Sequence, residues 1–378
     1  MRENGHPPTT PSAAPGSDAP VSFAQAARRS RASRRRRRLT IVSGGLAGIL
    51  TLTALALPTP YIVESPGPTF NTIGEHDGSP VITVDGARTY PTDGALDLTT
   101  VYVSGPPTGW TTFLDVVASW ADPTQTLIPS ELVYPSGTTS EEVTEENDLA
   151  MTTSQNWAVA AALENLGIDY RQQLFVADFA PESQATGVLR AGDQLVSAGG
   201  VEVTGLEGLK DQLNRSDGHT VDLGIVRDGT GSTVQVPVYP GPDGSWLLGV
   251  YLDSDFEFPV DVTISLEDVG GPSAGMMFAL GIIDEMTPGA MTGGRHVAGT
   301  GTIDPDGTVG EIGGIVQKVA GAREAGAEHF LAPAGNCEVL AGRVPEGIDV
   351  YAVGTLDEAR SAVEALGKGQ APRAPACG

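Results

Sequence analysis

Nineteen consecutive residues without a charge, Leu39 to Leu57 (LTIVSGGLAGILTLTALAL), stand directly after an arginine-rich stretch. As a helix, an uncharged run of that length covers a hydrocarbon core of about 30 Å. Arg28, Arg29, Arg31 and Arg34 to Arg38 lie on its N-terminal side, and the next basic residue is Arg88. Positive charge stays on the cytoplasmic side of a span, so the expected arrangement puts residues 1–38 in the cytoplasm and the bulk of the chain outside. A cleaved signal peptide competes with this reading, because Ala54-Leu55-Ala56 has the small-x-small form of a cleavage site. The long run and the 38-residue lead favour an uncut anchor, and both readings place the folded part outside the cytoplasm.

Charge supports that division. The 378 residues carry 22 basic and 47 acidic side chains. Nine arginines against Glu3 and Asp18 leave residues 1–38 at +7, and the remaining 13 basic and 45 acidic side chains set the rest at −32. Such a body repels nucleic acid, which excludes that class of partner. Cys337 and Cys377 are the two cysteines. An oxidising compartment permits one bridge between them, tying down the C-terminal tail, and two distant cysteines do not make a zinc site.

The chain divides by texture. Residues 1–38 are rich in Pro, Ser, Ala and Arg, with no apolar period, and read as a disordered basic tail; residues 39–57 are the expected transmembrane helix. Residues 58–170 form a membrane-proximal α/β region. It has short β-rich pieces, then a helix near Thr111 to Trp120. Another helix starts at TTSEEV and resumes through SQNWAVAAALENLGI, stopping at Gly167. Residues 171–245 read as strand, loop, strand, a short helix at Leu206 to Leu213, then strands VDLGIVRDG and STVQVPVYP. Residues 246–367 alternate strands and helices, and 368–378 form a tail. The expected fold class is multidomain α+β.

Within 246–367, Ser273 sits in GGPSAG just ahead of an apolar helix expected over Ser273 to Ile283. Two readings stay open on local grounds. A serine there caps an orphan backbone N–H, or it is a nucleophile placed at the positive end of a helix. Gly271-Pro-Ser-Ala-Gly275 also fits the G-x-S-x-G elbow of α/β-hydrolases, for which Asp306 and His329 follow in the right order. The domain is small for that fold, and no His-Gly-Gly oxyanion motif precedes the serine.

Lysine usage separates these readings. Lys210, Lys318 and Lys368 are the three lysines against 19 arginines. Lys318 lies in GGIVQKVAGA, on a mostly apolar helix, where arginine serves as well if only charge is needed. Lysine differs in that burial strips its proton, and a neutral amine can deprotonate a serine hydroxyl. The alternative is a stem laid over the core with its ammonium in water.

EDVGGPSAG, followed by VAGTGTIDPDGTVGEIGGIVQKVAGAREAGAEHFLAPAGN, resembles the proteolytic domain of Lon peptidases. The matching pieces are Gly271 to Gly275, Thr300-Gly301, Gly313-Gly314-x-x-x-Lys318 and Pro333 to Asn336. The resemblance implies Ser273 as nucleophile, Lys318 as its general base and Thr300 as the residue orienting the amine. Met291-Thr292-Gly293 is a competing match for that threonine, eight residues too far from Lys318. Many Lon domains carry an acidic residue three positions before the serine. Here that position is Gly270, with Glu267 and Asp268 further upstream.

ATGVLRAGDQLVSAGGVEV resembles a PDZ domain, which implies a groove that takes an extended peptide at a sheet edge. The Gly-Leu-Gly-Phe loop of that family is not visible near Leu174. With YIVESPGPTF and TYPTDGALDLTTV near the anchor, the whole resembles membrane-anchored bacterial Lon-like proteases with a PDZ module. That implies an ATP-independent serine endopeptidase outside the cytoplasm, acting on unfolded or membrane-tethered exported proteins, with homo-oligomers possible by resemblance. No G-x-x-x-x-G-K-[ST] occurs in the chain. Asp304-Pro-Asp306-Gly307 reads as a turn rather than a calcium loop, and His296 as a surface or core residue; no metal or cofactor is expected. Two other classes remain: a non-catalytic PDZ-type binding protein, and an esterase using Ser273 with His329.

Overall fold

The computed structural model describes residues 40–377 apart from 182, 243, 267 and 268. Residues 40–55 form an exposed helix, α1. At about 1.5 Å per residue these sixteen described residues extend about 24 Å. At the C-terminal end Pro58 disfavours helical backbone at Leu57, and Ala56 and Leu57 have already left the helix. Leu39 and the arginine-rich tail lie outside the described residues. Among the described residues, no helix is long and apolar enough to cross a membrane.

From Tyr61 the chain forms β1 (Tyr61–Asn71), β2 (Ile82–Asp85), β3 (Ala95–Ser104), β4 (Thr126–Pro129) and helix α2 (Ser140–Asn165). A middle stretch holds β5 (Arg171–Phe179), β6 (Gln194–Ala198), α3 (Leu206–Arg215), β7 (Val221–Arg227), β8 (Thr230–Val236) and β9 (Val250–Glu257). The last stretch runs through β10 (Asp261–Ile264), α4 (Gly275–Met286), β11 (His296–Gly299), β12 (Thr302–Ile303) and β13 (Val309–Gly310). It ends with α5 (Ile315–Glu324), β14 (His329–Pro333), β15 (Asp349–Val353) and α6 (Leu356–Gly367).

Two stretches that the sequence reading separates, 58–170 and 246–367, build one sheet in the order β15-β14-β11-β3-β1-β4. Strands β15, β14, β11 and β3 are parallel, and β1 runs antiparallel to both neighbours. The strand period sorts side chains to opposite faces. Leu96, Leu98, Val297 and Leu331 pack with α4 and α6, and Ala298, Phe330, Ala332 and Val350 pack with α5. Helix α4 is apolar all round because it lies inside: its residues from Gly275 to Asp284 are buried, with α2 and α6 packed against it. Helix α2 is one continuous element rather than the two pieces expected. Thr139 caps it, and Glu142 closes a reciprocal capping box.

The middle stretch forms an antiparallel sheet in the order β8-β7-β6-β5-β9. Leu209 and Leu213 of α3 are buried with Leu174, Leu195, Leu223 and Ile225. Buried Asp193 takes two bonds of 2.7 Å from Arg227 and one of 2.8 Å from Arg190 N, so the Gly187 to Asp193 loop is clamped. That guanidinium holds the Asp193 carboxyl below its usual range. Strand β9 pairs along the whole of β5, from Val250 opposite Phe179 to Glu257 opposite Arg171. On its other side β6 pairs with β5 at Leu174 and Phe175.

The C-terminal tail lies along β15. Ala352 N donates to Pro375 O and Cys377 N to Val350 O, each at 2.9 Å. Cys337 and Cys377 are disulfide-bonded across 40 residues. Loop closure of that length removes about 4 kcal/mol of freedom from the unfolded chain. Replacing both cysteines by serine is therefore expected to lower Tm by about 10 °C in scanning calorimetry. A change under about 2 °C would show that the tail's backbone bonds hold it without the bridge.

Candidate active site

Helix α4 begins at Gly275. Its N-cap is Ala274, and no side chain caps it. The Ser273 hydroxyl therefore does not serve the helix end. Its Oγ lies 2.6 Å from Nζ of Lys318, and Nζ lies 3.0 Å from Oγ1 of Thr300. The Thr300 hydroxyl donates to the Ser273 carbonyl at 2.9 Å. With its one hydrogen committed, Thr300 faces the amine as an acceptor. It fixes one N–H of Lys318, and in the neutral amine the lone pair is then free to point at Ser273 Oγ.

Three elements bring these groups together from two faces of the sheet. Thr300 directly follows the carboxyl end of β11, where open α/β sheets place their ligands. Ser273 precedes α4 on one face, and Lys318 sits one turn into α5 on the other. The loop between them is tied down on each side: Gly301 N donates to Ser273 O at 2.9 Å, Ser154 Oγ to Pro272 O at 3.0 Å and Gly271 N to Asn147 O at 3.0 Å. A Cβ on Gly275 would stand 2.7 Å from Ile303 Cγ2, so glycine there lets the helix start close on the β12–β13 hairpin.

Helix α5 is placed as firmly. Gly314, its N-cap, has φ +67°, and a Cβ there would lie 2.7 Å from Val101 Cγ1. Asn336 grips the approach to it from both sides, accepting from Ile312 N and donating to Ile312 O, each at 3.0 Å. Gln317 donates to Thr126 Oγ1 at 2.7 Å.

Lys318 is 2% exposed and Thr300 0%, whereas Ser273 is half-buried. Burial pulls the lysine pKa from 10.5 down to about 7. The charge of half-buried Glu64 acts in the opposite sense, favouring the ammonium. Burial in turn pushes the Glu64 carboxyl up. Glu64 belongs to β1 and pairs in register with Thr126, the partner of Gln317. Sequence reasoning missed this carboxylate; a glutamate in YIVESPG gives no local sign of an amine so remote in the chain. A hydroxyl beside a dry, easily neutralised amine can be deprotonated near neutral pH.

The other candidates go elsewhere. Thr292 is buried and donates to Asp93 O, so the structure brings Thr300, not Thr292, to the amine. His329 stands at the start of β14, 3.8 Å from Asp349, and His296 lies 2.7 Å from Asp97. The arrangement a Ser–His–Asp hydrolase needs is not formed, since Ser273 Oγ meets an amine. Asp306 lies in the turn between β12 and β13, its carboxylate accepting from Thr308 N at 2.9 Å. Glu267 and Asp268 lie outside the described residues. Among the described residues no group of three metal-ligating side chains exists.

Residues 265–363 match the family described as the Lon protease (S16) C-terminal proteolytic domain. Lon protease 1 of Sorangium cellulosum is 39% identical over 92 residues, 24% of this chain and 11% of that protein. Lon protease 2 of Bacillus subtilis is 32% identical over 106 residues, 28% of this chain and 18% of that protein. The chain thus spans less than a fifth of the length of either relative. The PDZ domain of an SdrC-like protein from Listeria monocytogenes aligns with 21% of this chain and 85% of its own, at 18% identity and a TM-score of 0.20.

Keeping an amine dry costs stability. Between pH about 7 and 10.5 the unfolded chain binds more protons at Lys318 than the folded one, so stability rises with pH across that window. Lys318→Met is expected to raise stability at pH 7, by on the order of 4 kcal/mol at most. The gain should shrink towards pH 10. Urea midpoints of both proteins at the two pH values measure this; an equal gain at both would mean that burial does not depress the lysine pKa.

Proposed function

We propose that this chain, whose residues 265–363 match the Lon protease (S16) C-terminal proteolytic domain, is a serine endopeptidase working through Ser273 and Lys318 without ATP. One observation carries the reading: a sealed amine of depressed pKa 2.6 Å from a half-buried hydroxyl. As Ser273 Oγ attacks a peptide carbonyl carbon, its proton passes to Lys318 Nζ. Thr300 holds the ammonium so formed, and the Glu64 carboxylate favours its charge. Backbone N–H groups at the start of α4 stabilise the developing oxyanion. Lys318 returns the proton to the departing amine nitrogen as the C–N bond breaks, leaving an ester on Ser273. A water molecule then attacks that ester, with Lys318 again as base.

The substrates in this reading are unfolded, flexible or membrane-tethered exported proteins, whose extended backbone can reach the half-buried Ser273 hydroxyl. Residues 39–57 anchor the chain, with the N-terminus cytoplasmic and the site outside. The arginine-rich lead, the uncharged run and a disulfide suited to an oxidising compartment support that placement. The middle sheet serves as a PDZ-like peptide-recognition module.

The test is hydrolysis of β-casein by the purified chain. Ser273→Ala and Lys318→Ala are each expected to lower the rate at least about 1000-fold. Lys318→Arg should be as inactive, since a guanidinium does not give up its proton. In the intact protein, kcat/KM should rise about tenfold per pH unit and level off near pH 7, where the amine becomes neutral. Thr300→Val should keep the fold but lose about 10 to 100-fold in kcat. Full activity in Ser273→Ala would end the proposal.

A further inference from the structure

A cleft of 720 Å³ opens between the middle sheet and the β12–β13 hairpin. Trp157, Tyr170, Leu174 and Leu252 supply its apolar and aromatic surface. Five carboxylates line it, those of Glu164, Asp169, Glu207, Asp304 and Asp306, against the single ammonium of Lys210. Lys210 is already paired with Glu207 at 2.7 Å. Among the described residues, Glu164, Asp169, Asp304 and Asp306 form no salt bridge. Burial pushes the Asp304 carboxyl up, and the charge of Asp306 adds to the effect. The Tyr170 hydroxyl is pushed up to about 12 by burial, with Glu164 and Asp306 adding their charges. The cleft is therefore partly dry and strongly negative, with the charge of Lys210, which acts on Asp304 in the opposite sense, outnumbered by five carboxylates.

We propose that this cleft is an exosite for an extended peptide segment that interleaves lysine or arginine with apolar side chains. Its volume suits a ligand of a few residues. Apolar side chains bury against Leu206 and Leu252, ammonium or guanidinium groups meet the acidic rim, and Trp157 and Tyr170 offer ring faces to the same cations. Entry through the cleft does not require a peptide to pair with β5, which β9 flanks along its length and β6 at Leu174 and Phe175.

The walls of the cleft are the supports of Ser273. Trp157 lies on α2 one turn beyond Ser154, which holds Pro272 O. Asp304 follows Ile303 in the hairpin, whose root, Gly301, donates to Ser273 O. A peptide bridging these walls steadies both sides of the nucleophile loop. That role as a substrate-recognition site rests on the peptidase reading, whereas binding does not.

Binding can be measured by fluorescence anisotropy on the full chain in detergent, carrying Ser273→Ala so that the probe survives. The probe is a fluorescein-labelled peptide of alternating leucine and lysine, compared with one of alternating leucine and glutamate and with a micelle-only blank. The lysine peptide should bind at least about tenfold more tightly than the glutamate peptide. The pair Asp304→Asn and Asp306→Asn should weaken it about tenfold at an unchanged melting temperature. Asparagine at 306 keeps the acceptor for Thr308 N. Trp157→Ala should weaken it as well. Glu141→Gln with Glu145→Gln, on the exposed side of α2, should leave it unchanged.

Equal binding of the two peptides would overturn the proposal, as would equal effects of the cleft and α2 substitutions, which would mark a general attraction to an acidic body. Since no turnover is needed, loss of peptide binding with casein hydrolysis intact sinks the exosite alone. The reverse outcome sinks the peptidase reading alone.

Discussion

The arrangement around Ser273 depends on one amine kept from water. An ammonium in a 2%-exposed position is costly, and the chain lowers that cost by letting the proton leave rather than by supplying a tight carboxylate partner. This sets requirements on everything near it. The amine needs an acceptor whose own hydrogen is committed, which Thr300 meets by donating to Ser273 O. It needs a helix that cannot slide, and Asn336, Gly314 and Gln317 fix α5 at its start. Glu64 is near enough to favour the ammonium but is itself pushed towards neutrality by burial, so neither partner is locked in its charged form.

Much of the site was legible because the chain uses lysine so sparingly. With arginine in most basic positions, Lys318 on an apolar helix asks for a group that can lose its proton, and the glycine-flanked serine supplies its partner. The choice of Thr300 over Thr292 followed from spacing, and the structure explains it: Thr292 is engaged with Asp93 O. Local pattern could not reveal Glu64, since what matters is the pairing of β1 with β3 and β4 and the packing of α5 upon them. The expectation that Ser273 begins the helix missed by two residues, because GGPSAG carries the signals of both a turn and a helix start.

At the level of the fold, periods and turns located most strands, while their partners stayed hidden. Residues 95–104 and 296–299 lie in stretches of different texture, so their parallel pairing has no short-range signal. The break expected in α2 came from its polar middle, which burial of Met151 and Ser154 against the core overrides. The N-terminal run was read from its lack of charge and the arginines before it, and Pro58 limits how far helical backbone extends beyond it.

The pairing of β3 with β11 has a consequence for how the protein comes into being. Roughly 200 residues separate the two strands, about 10–40 s of ribosomal elongation, and for that interval β3 waits without its parallel neighbour. Thr300 reaches its station only when β11 docks, and Lys318 emerges later still. The contact between Ser273, Thr300 and Lys318 therefore cannot form until the segment that carries β11 and α5 has been made and has docked on β3.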